Sequence, residues 1–384
     1  MIPLGENAFS VMKSAGIAEN GIIAQKRRFF MKAILINGNF LCRNLTGIER
    51  FALEVCKRLD AILTDADDVR LLVSANARFV PDFKRIKIIQ SKKAIRSFPL
   101  WDLFSFSAAA KKQKAVPLNF SNTAPLGKNC GVAFLHDIYA RDFPSDFVTF
   151  HDKLIRAYCL LHYKNIARNA KKIITVSQFS KERIAASYGV KSERLCVIGN
   201  GWEHFKSVEE DEGIFEKFPI LKEKPFFFTL GSLSRRKNLA WIARAAAQNS
   251  SEIFAVSGKA ISGLVPKEIE DLKTLKNVVL LGYVTDGEVK SLMKKCRAFI
   301  FPSYYEGFGI PPLEALSVGA EVICAKAASL PEIFGNSVHF TDPYEKNPDV
   351  EALLADKTRD SLAVLEKYTY QSAAEKLLEV LREI

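Results

Sequence analysis

Two glutamates, Glu306 and Glu314, lie eight positions apart in the segment Phe301-Pro-Ser-Tyr-Tyr-Glu-Gly-Phe-Gly-Ile-Pro-Pro-Leu-Glu-Ala-Leu-Ser-Val-Gly319. Its apolar start predicts a strand, its glycines predict a loop, and its paired prolines suit the first turn of a helix. Carboxylates near the start of a helix could accept hydrogen bonds from sugar hydroxyls. The same residues fit equally well a strand–turn–helix in which the carboxylates only cap the helix.

The start of this predicted helix could also bind an anion. The free N–H groups of Phe308, Gly309 and Ile310 have no partner within the helix, and the helix dipole favours negative charge at this end. A phosphate or carboxylate ligand would satisfy both requirements.

A basic triplet, Arg235-Arg236-Lys237, follows the predicted strand Phe226–Gly231. Fixed cations at a strand end could offset the charge of a phosphate leaving group without a metal ion. A solvated basic turn that precedes a helix is the alternative. That alternative is the better interpretation for Arg235 and the poorer one for the other two cations.

Short apolar runs alternate with longer helical patterns along most of the chain, which predicts parallel sheets covered by helices on both faces. The predicted strands of the first half are Ala33–Asn37, Val69–Ser74, Ile86–Gln90, Val116–Phe120, Val132–His136, Ile173–Ser177 and Leu195–Gly199. Those of the second half are Phe226–Gly231, Ile253–Ser257, Val278–Tyr283, Ala298–Pro302, Glu321–Ala325 and Val338–Thr341. The fold class expected is α/β, with two doubly wound, Rossmann-like domains facing across a cleft.

The charged stretch before Pro225 indicates where the two halves divide. We expect a loosely ordered N-terminal extension over residues 1–30 and a first domain over 31–205. A linker over 206–224 would lead to a second domain over 225–368. The amphipathic residues 369–384 predict a last helix that packs back on the first domain. An ordinary N-terminal helix over Ala8–Ala18 is an equally good interpretation of the extension.

Five segments, in this order, resemble the family-4 retaining glycosyltransferases, which have the GT-B fold. They are Leu45–Phe51, Phe134–Ile138, Val176–Ser180, Gly231–Asn238 and Glu306–Glu314, the last with the E-x7-E spacing of that family. The resemblance runs from about Met31 to the C-terminus, and it implies that the first domain binds the acceptor and the second the nucleotide-sugar donor. The Arg236-Lys237-Asn238 variant is similar to a subgroup linked to mannose or rhamnose transfer.

For the donor side, the resemblance implies that Arg236 and Lys237 bind the diphosphate of a nucleotide sugar and stabilise the leaving group. Glu306 would hold the transferred sugar and Glu314 the nucleotide ribose. The backbone of the predicted helix start, already described, would complete this side.

For the facing side and the loops, the resemblance implies that His136 and Asp137 face the sugar from the first domain. Gly47 would let the backbone approach the ligand closely, and Gly231 and Ser232 would line the donor loop. Many relatives carry arginine where this chain has Ser232, so the charge supplied there is lost or moved. Ser177 could contact a ligand, although a helix N-cap is the better interpretation.

The implied activity is that of a retaining, metal-independent hexosyltransferase with no cofactor beyond its nucleoside-diphosphate-sugar donor. It would move a sugar, with mannose or rhamnose the guess, to a hydroxyl of a glycan or lipid-linked glycan in surface polysaccharide or lipopolysaccharide synthesis. A nucleotide-sugar epimerase of the same fold and a non-catalytic glycan-binding scaffold remain the alternatives.

Metal ligation is not expected from the sequence. Asp65-Ala-Asp67 matches the D-x-D string of metal-dependent transferases but fits a solvated turn better, and the five histidines show no ligand spacing. The seven cysteines include no C-x-x-C pair, which favours buried thiols in a reducing compartment.

The formal charge of +12 calls for an anionic partner. No nucleic-acid-binding motif accompanies the charge, and no apolar run approaches the roughly 18 residues of a membrane span. An anionic membrane surface and a phosphate-bearing substrate fit the charge equally well, and we expect a cytoplasmic protein that can attach to the inner face of the cell membrane. Ser91–Lys114, where lysines flank Phe98–Phe106, is the candidate contact with the acceptor or a membrane. A helix whose Trp101 and Phe104 pack inward is the favoured alternative.

Overall fold

The computed structural model describes residues 31–384 except 93, 232, 233, 259–267 and 359. The predicted N-terminal extension, Lys93 and Ser232 therefore lie outside the described residues. The described residues form thirteen strands, which are β1 (Ile34–Asn37), β2 (Val69–Val73), β3 (Lys87–Gln90), β4 (Val116–Asn119), β5 (Val132–Phe134), β6 (Lys172–Thr175), β7 (Leu195–Val197), β8 (Phe226–Leu230), β9 (Ile253–Ser257), β10 (Val278–Gly282), β11 (Ala298–Phe301), β12 (Val322–Ala325) and β13 (His339–Thr341). Each coincides with a predicted strand.

The strands form two sheets, and every pairing within them is parallel. The first sheet has the order β3-β2-β1-β4-β5-β6-β7 and the second the order β10-β9-β8-β11-β12-β13. Because both faces of a parallel sheet are covered, central strands such as β8 and β11 are buried along almost their whole length. Strand order reverses between β1 and β4 and between β8 and β11, which are the positions where doubly wound sheets bind ligands. The predicted α/β fold class is confirmed.

Helices connect the strands and cover both sheets. They are α1 (Gly47–Ile62), α2 (Phe98–Leu100), α3 (Ser107–Lys112), α4 (Tyr139–Asp142), α5 (Phe150–Asn169), α6 (Gln178–Tyr188), α7 (Gly213–Lys217), α8 (Ile220–Glu223), α9 (Leu239–Gln248), α10 (Glu268–Lys273), α11 (Asp286–Lys295), α12 (Ile310–Ser317), α13 (Leu330–Phe334), α14 (Val350–Leu354), α15 (Leu362–Lys367) and α16 (Tyr370–Arg382). A π-helical turn over Trp101–Phe106 joins α2 to α3. Capping boxes fix the starts of α5, at Thr149 and Asp152, and of α11, at Thr285 and Glu288.

The last helix, α16, returns to the first sheet. Its apolar face, which includes Ala374, Leu377 and Leu381, joins the core formed by α1 and the first-sheet strands. An ion pair between Arg382 and Asp67 fixes its far end, with 2.8 Å between the charged groups. The chain therefore crosses between the two sheets twice, once before β8 and once before α16.

Residues 206–224, the predicted linker, contain α7 and α8. Ile214, Phe215 and Leu221 of this segment are buried in the core of the second sheet. The first crossing between the sheets is consequently short and lies around the 3-10 turn Glu203–Ser207.

The π-helical turn explains why the aromatic segment has two different faces. In a π-helix the hydrogen bonds join residues five apart, and Trp101 and Phe106 are both buried against the first sheet. Phe104, three positions after Trp101, is 61% exposed. The sequence-based interpretation of a stripe containing Trp101 and Phe104 is therefore wrong, because it assumed the ordinary helical period.

Substitution of Leu377, which is fully buried on α16, tests whether the last helix stabilises the first domain. Leu377→Ala should lower the free energy of unfolding by about 2–5 kcal/mol, because it leaves a cavity. The urea midpoint measures this loss, and Lys376→Ala, at the exposed neighbouring position, is the matched control. Equal midpoints for the two variants would contradict the packing described.

Candidate active site

The carboxyl ends of both sheets meet at a group of four charged side chains. Arg236 and Lys237 lie in a 3-10 turn after β8, Glu306 follows β11, and Asp137 follows β5 of the first sheet. Lys237 Nζ is 2.6 Å from Glu306 Oε1. Arg236 Nη1 is 3.6 Å from Glu306 Oε2 and 3.6 Å from Asp137 Oδ2. Two cations and two carboxylates thus join the two domains at the switch point of the second sheet.

Burial and mutual attraction set the charges of this group. Burial alone would raise the pKa of Glu306, but the positive charges of Arg236 and Lys237 outweigh it and hold the pKa below its usual value. Burial works against the charge of Arg236, yet Glu306 and Asp137 raise its pKa. Burial lowers the pKa of Lys237, with Glu306 working against the shift. Glu306 is therefore an ionised carboxylate at neutral pH.

Asn238 positions the basic turn. It adopts the left-handed conformation, with φ of 58°, which ends the 3-10 turn and starts α9. Its Nδ2 donates to the carbonyl oxygens of Pro302 and Pro343, at 3.0 and 2.8 Å. The turn is thereby tied to the end of β11. The sequence motif included Asn238 but indicated no role for it, because its partners are distant in the chain.

A small pocket opens beside the basic turn. Gly231, Lys237, Ser257 and Ser303 are among its lining residues. A Cβ atom at Gly231 would lie 3.3 Å from Lys237 Cε, so glycine leaves the lysine side chain room. The pocket lies beside Lys237 at the carboxyl ends of β8, β9 and β11.

The predicted anion-binding helix start has the expected form. Gly309 precedes α12 in a left-handed conformation, with φ of 108°, and a Cβ there would lie 2.8 Å from Leu330. Phe308 is buried, and its ring packs edge-on against Tyr368 at 5.1 Å. Ile310 faces Gly47, where a Cβ atom would lie 3.9 Å from Ile310 Cδ1. The starts of α1 and α12 are therefore neighbours across the cleft.

Gly307 provides the closest contact between the domains in this loop. A Cβ atom at this position would lie 2.5 Å from the carbonyl oxygen of His136, which is too close for any side chain. Glycine is required here by the facing domain and not by its own backbone angles. Sequence reasoning did not single out this residue, since nothing local marks it.

His136 is held by its own domain. Its Nε2 is 2.7 Å from the carbonyl oxygen of Phe120, so Nε2 carries the proton and donates. The ring stacks on Phe134 and meets Phe51 edge-on. Burial lowers its pKa, which favours the neutral imidazole. Of the predicted His136–Asp137 pair, it is Asp137 that reaches the cation group.

Glu314 has a partner that the sequence did not predict. Its Oε1 is 2.9 Å from Nε2 of His204, which lies in the crossing between the sheets. Both side chains are buried. Ser177 is an N-cap, as the better of its two interpretations held: its hydroxyl accepts from the backbone N–H of Ser180 at 3.1 Å.

Tyrosines of the second domain contact aspartates of the first. The hydroxyl of Tyr304 donates to the carboxylate of Asp146, and that of Tyr305 donates to Asp142 at 2.9 Å. Tyr139 also binds Asp146, and its ring lies 5.4 Å beneath the guanidinium of Arg236. These contacts surround the cation group on its first-domain side. The sequence did not predict these contacts because each partner alone is an ordinary loop residue.

The aspartates of the D-x-D string are engaged in separate ion pairs. Asp65 pairs with Arg85 at 2.6 Å, and Asp67 pairs with Arg382 at 2.8 Å. Within the part of the chain that the structure describes, no group of three or more His, Cys, Asp or Glu side chains is arranged to hold a metal ion. All seven cysteines are free thiols.

Comparison with known proteins assigns both domains. Residues 45–204 match the model of Glycosyltransferase Family 4, and residues 210–375 match that of Glycosyl transferases group 1. The O-antigen chain mannosyltransferase B of Escherichia coli is 26% identical over 339 residues, which are 81% of this chain and 86% of that protein. The O-antigen chain mannosyltransferase RfbU of Salmonella typhimurium is 27% identical over 265 residues, 67% of this chain and 70% of that protein.

A solved structure agrees at the level of the fold. The HepE protein of Anabaena, determined in complex with UDP, superposes with a TM-score of 0.62 at 17% identity, covering 92% of this chain and all of that one. The resemblance inferred from the five motifs is thus confirmed by both family models and by the architecture. The chain belongs to the family-4 glycosyltransferases and has their GT-B fold.

Proposed function

We propose that this glycosyltransferase moves mannose or rhamnose from a nucleoside-diphosphate sugar to a hydroxyl of a glycan or lipid-linked glycan, with retention of anomeric configuration. The product would belong to a surface polysaccharide such as the O-antigen of lipopolysaccharide. The observation that carries this proposal is the half-buried Arg236–Lys237 pair, balanced by Glu306 at the switch point of the second sheet.

The cation pair suits a diphosphate. Two fixed positive charges in a partly buried cleft attract a phosphate strongly, and they offset the charge that develops as the nucleoside diphosphate leaves. Without ligand, Glu306 supplies the counter-charge. Once a diphosphate supplies it, the ionised Glu306 carboxylate can accept hydrogen bonds from hydroxyls of the transferred sugar. We accordingly propose transfer without a metal ion or cofactor.

The state of His136 supports a substrate-assisted route. A neutral imidazole whose Nε2–H is bound to a backbone carbonyl is poorly suited to protonate a leaving group. The leaving phosphate itself would then help to deprotonate the acceptor hydroxyl on the same face of the sugar. The protein contributes position and electrostatic stabilisation of an oxocarbenium-like transition state.

The relatives support the choice of sugar and acceptor class. Both curated relatives described above are mannosyltransferases of O-antigen chains. The solved HepE structure holds UDP in the same fold, which supports a nucleoside diphosphate as the common part of the donor.

The first domain offers a surface for the membrane that would carry a lipid-linked acceptor. Leu100, directly before the π-helical turn, and Leu103 and Phe104 within it are 48%, 48% and 61% exposed. Apolar side chains of α5 are exposed as well, among them Phe150 at 78% and Leu154 at 54%. Within the described residues, no helix is long and apolar enough to span a bilayer.

The charge around these side chains favours an anionic bilayer. Residues 91–171 contain thirteen Lys or Arg but five Asp and no Glu. Exposed apolar and aromatic side chains among cations bind the boundary between headgroups and acyl chains. We therefore propose that the enzyme works in the cytoplasm and attaches to the inner face of the cell membrane through this surface.

Nucleotide binding tests the donor site. UDP, GDP and dTDP are added to the purified protein, and the correct nucleotide should raise its melting temperature by mass action. Lys237→Ala should abolish this rise and lower kcat/KM at least about 100-fold, because a fixed charge at the leaving group is lost. Glu306 keeps Arg236 as counter-charge, so the variant should still fold.

The matched control for this experiment is Arg235→Ala, which removes the exposed neighbouring cation and should leave both quantities nearly unchanged. Equal losses in the two variants, or a fully active Lys237→Ala enzyme, would contradict the assigned site.

The stereochemistry of the product tests the reaction class. An α-configured donor should give an α-linked product, and the one-bond coupling constant between C1 and H1, measured by NMR, identifies the anomer. EDTA should not reduce the rate. A β-linked product would overturn retention, and a loss of rate restored by a divalent ion would overturn metal independence. Consumption of the donor without an acceptor would favour the epimerase.

Vesicle sedimentation tests the membrane surface. The protein should bind vesicles containing phosphatidylglycerol and bind neutral phosphatidylcholine vesicles weakly, with binding reduced by salt. The double variant Leu103→Ala/Phe104→Ala should weaken binding several-fold, since it removes exposed apolar area. Tyr283→Ala, at a 77% exposed position of the second domain, is the control. Equal binding by the double variant and wild type would disprove this surface.

A further inference from the structure

We propose that His204, a residue of the crossing between the two sheets, positions the Glu314 carboxylate for the ribose hydroxyls of the donor. This inference rests on the proposed function together with the ribose-binding role that the family resemblance implies for Glu314. The two residues belong to different elements, the 3-10 turn Glu203–Ser207 and helix α12. His204 Nε2 lies 2.9 Å from Glu314 Oε1, a distance that suits a hydrogen bond from the ring N–H to the carboxylate.

The last helix, α16, fixes the position of His204. Its ring lies 5.7 Å from that of Tyr370, the first residue of α16. The preceding residue, Glu203, accepts hydrogen bonds from the backbone N–H groups of Tyr370 and Gln371, at 2.8 and 3.3 Å. Gly201 lies so close to the same helix that a Cβ would be 2.2 Å from Tyr370 N. The crossing is thus fastened to α16, which leaves the imidazole little freedom.

Only one of the two ring nitrogens of His204 has a polar partner among the described residues. Nδ1 of His204 is buried and has no hydrogen-bond partner among the described residues. The imidazole therefore places Nε2 against Glu314, while Nδ1 makes no compensating hydrogen bond to the described residues. An unpaired buried nitrogen is unfavourable, so the ring does not lie here to satisfy its own polar atoms. Its contact with Glu314 is the polar interaction that accounts for a histidine at this position.

The consequence for Glu314 is a defined orientation. Oε1 is engaged by His204, and the second oxygen of the carboxylate remains an acceptor for a ligand. The ribose of UDP or GDP offers two neighbouring hydroxyl donors, and the deoxyribose of dTDP offers one. A carboxylate with a fixed plane binds such donors better than one that rotates. Since His204 Nε2 donates, it leaves Glu314 in the accepting role. His204 is accordingly a positioning residue, because it acts through Glu314.

A merely structural role would predict something different. If His204 only fastened the crossing to α12, its replacement would lower stability and weaken all nucleotides alike. If it orients Glu314, its replacement would selectively remove the preference for nucleotides that carry ribose hydroxyls. His204→Gln retains an N–H donor near the position of Nε2, whereas His204→Phe keeps the ring volume but has no donor. The two variants therefore separate the hydrogen bond from the packing.

The experiment measures dissociation constants by calorimetry for the nucleoside diphosphate among UDP, GDP and dTDP that binds, and for its 2′,3′-dideoxy counterpart. Wild type should prefer the natural nucleotide by about tenfold or more, as expected for hydrogen bonds to a charged group. Glu314→Ala should lose this preference. His204→Phe should lose most of it, while His204→Gln should recover at least half of the wild-type ratio on a logarithmic scale.

Each of the other possible results contradicts a different part of the proposal. A wild-type preference in His204→Phe, with Glu314→Ala still lacking it, overturns the role of His204 alone. An unchanged preference in Glu314→Ala overturns the ribose role of Glu314, and the inference with it. Absence of binding by any nucleotide to wild type overturns the donor site. Thermal melting checks the folding of each variant, and His204→Asn, whose amide is too short to reach Glu314, replaces His204→Phe if that variant fails to fold.

Discussion

The ion pair between Lys237 and Glu306 lies where the carboxyl ends of the second sheet meet the first domain, and the surrounding contacts are organised around it. Its charges are mostly removed from water, so each needs the other, and Arg236 with Asp137 extends the balance across the cleft. In the proposed reaction a diphosphate replaces the Glu306 carboxylate as partner of the cations, and Glu306 then accepts hydrogen bonds from hydroxyls of the transferred sugar.

Backbone features hold this pair in place. Asn238 clamps the basic turn to the end of β11 through two carbonyl oxygens. Gly307 permits the Glu306 loop to touch the carbonyl of His136. The hydroxyl of Ser329 donates to the carbonyl oxygen of Glu306 at 2.9 Å. A site built from rigid turns at strand ends needs little rearrangement to accept a charged ligand, which is the physical basis of electrostatic preorganisation.

Further contacts between the two domains lie outside the group of four charged side chains. Glu332 of the second domain accepts hydrogen bonds of 2.7 Å from the N–H groups of Gln178 and Phe179, at the start of a first-domain helix. Arg50 and Asp286 form a further bridge of 2.6 Å. Together with the His204–Glu314 contact, they connect the position of α12 to the relative position of the domains.

The sequence by itself determined the two doubly wound sheets, their thirteen strands and the motifs that carry the charged residues. It could do so because apolar periodicity and loop glycines are local properties. Tertiary structure alone decided that Glu314 pairs with His204, that Phe104 faces outward through a π-helical turn, and that Gly307 is required by the facing domain. These outcomes depend on contacts between residues that are far apart in the sequence, and the sequence alone does not give the spatial distances between them.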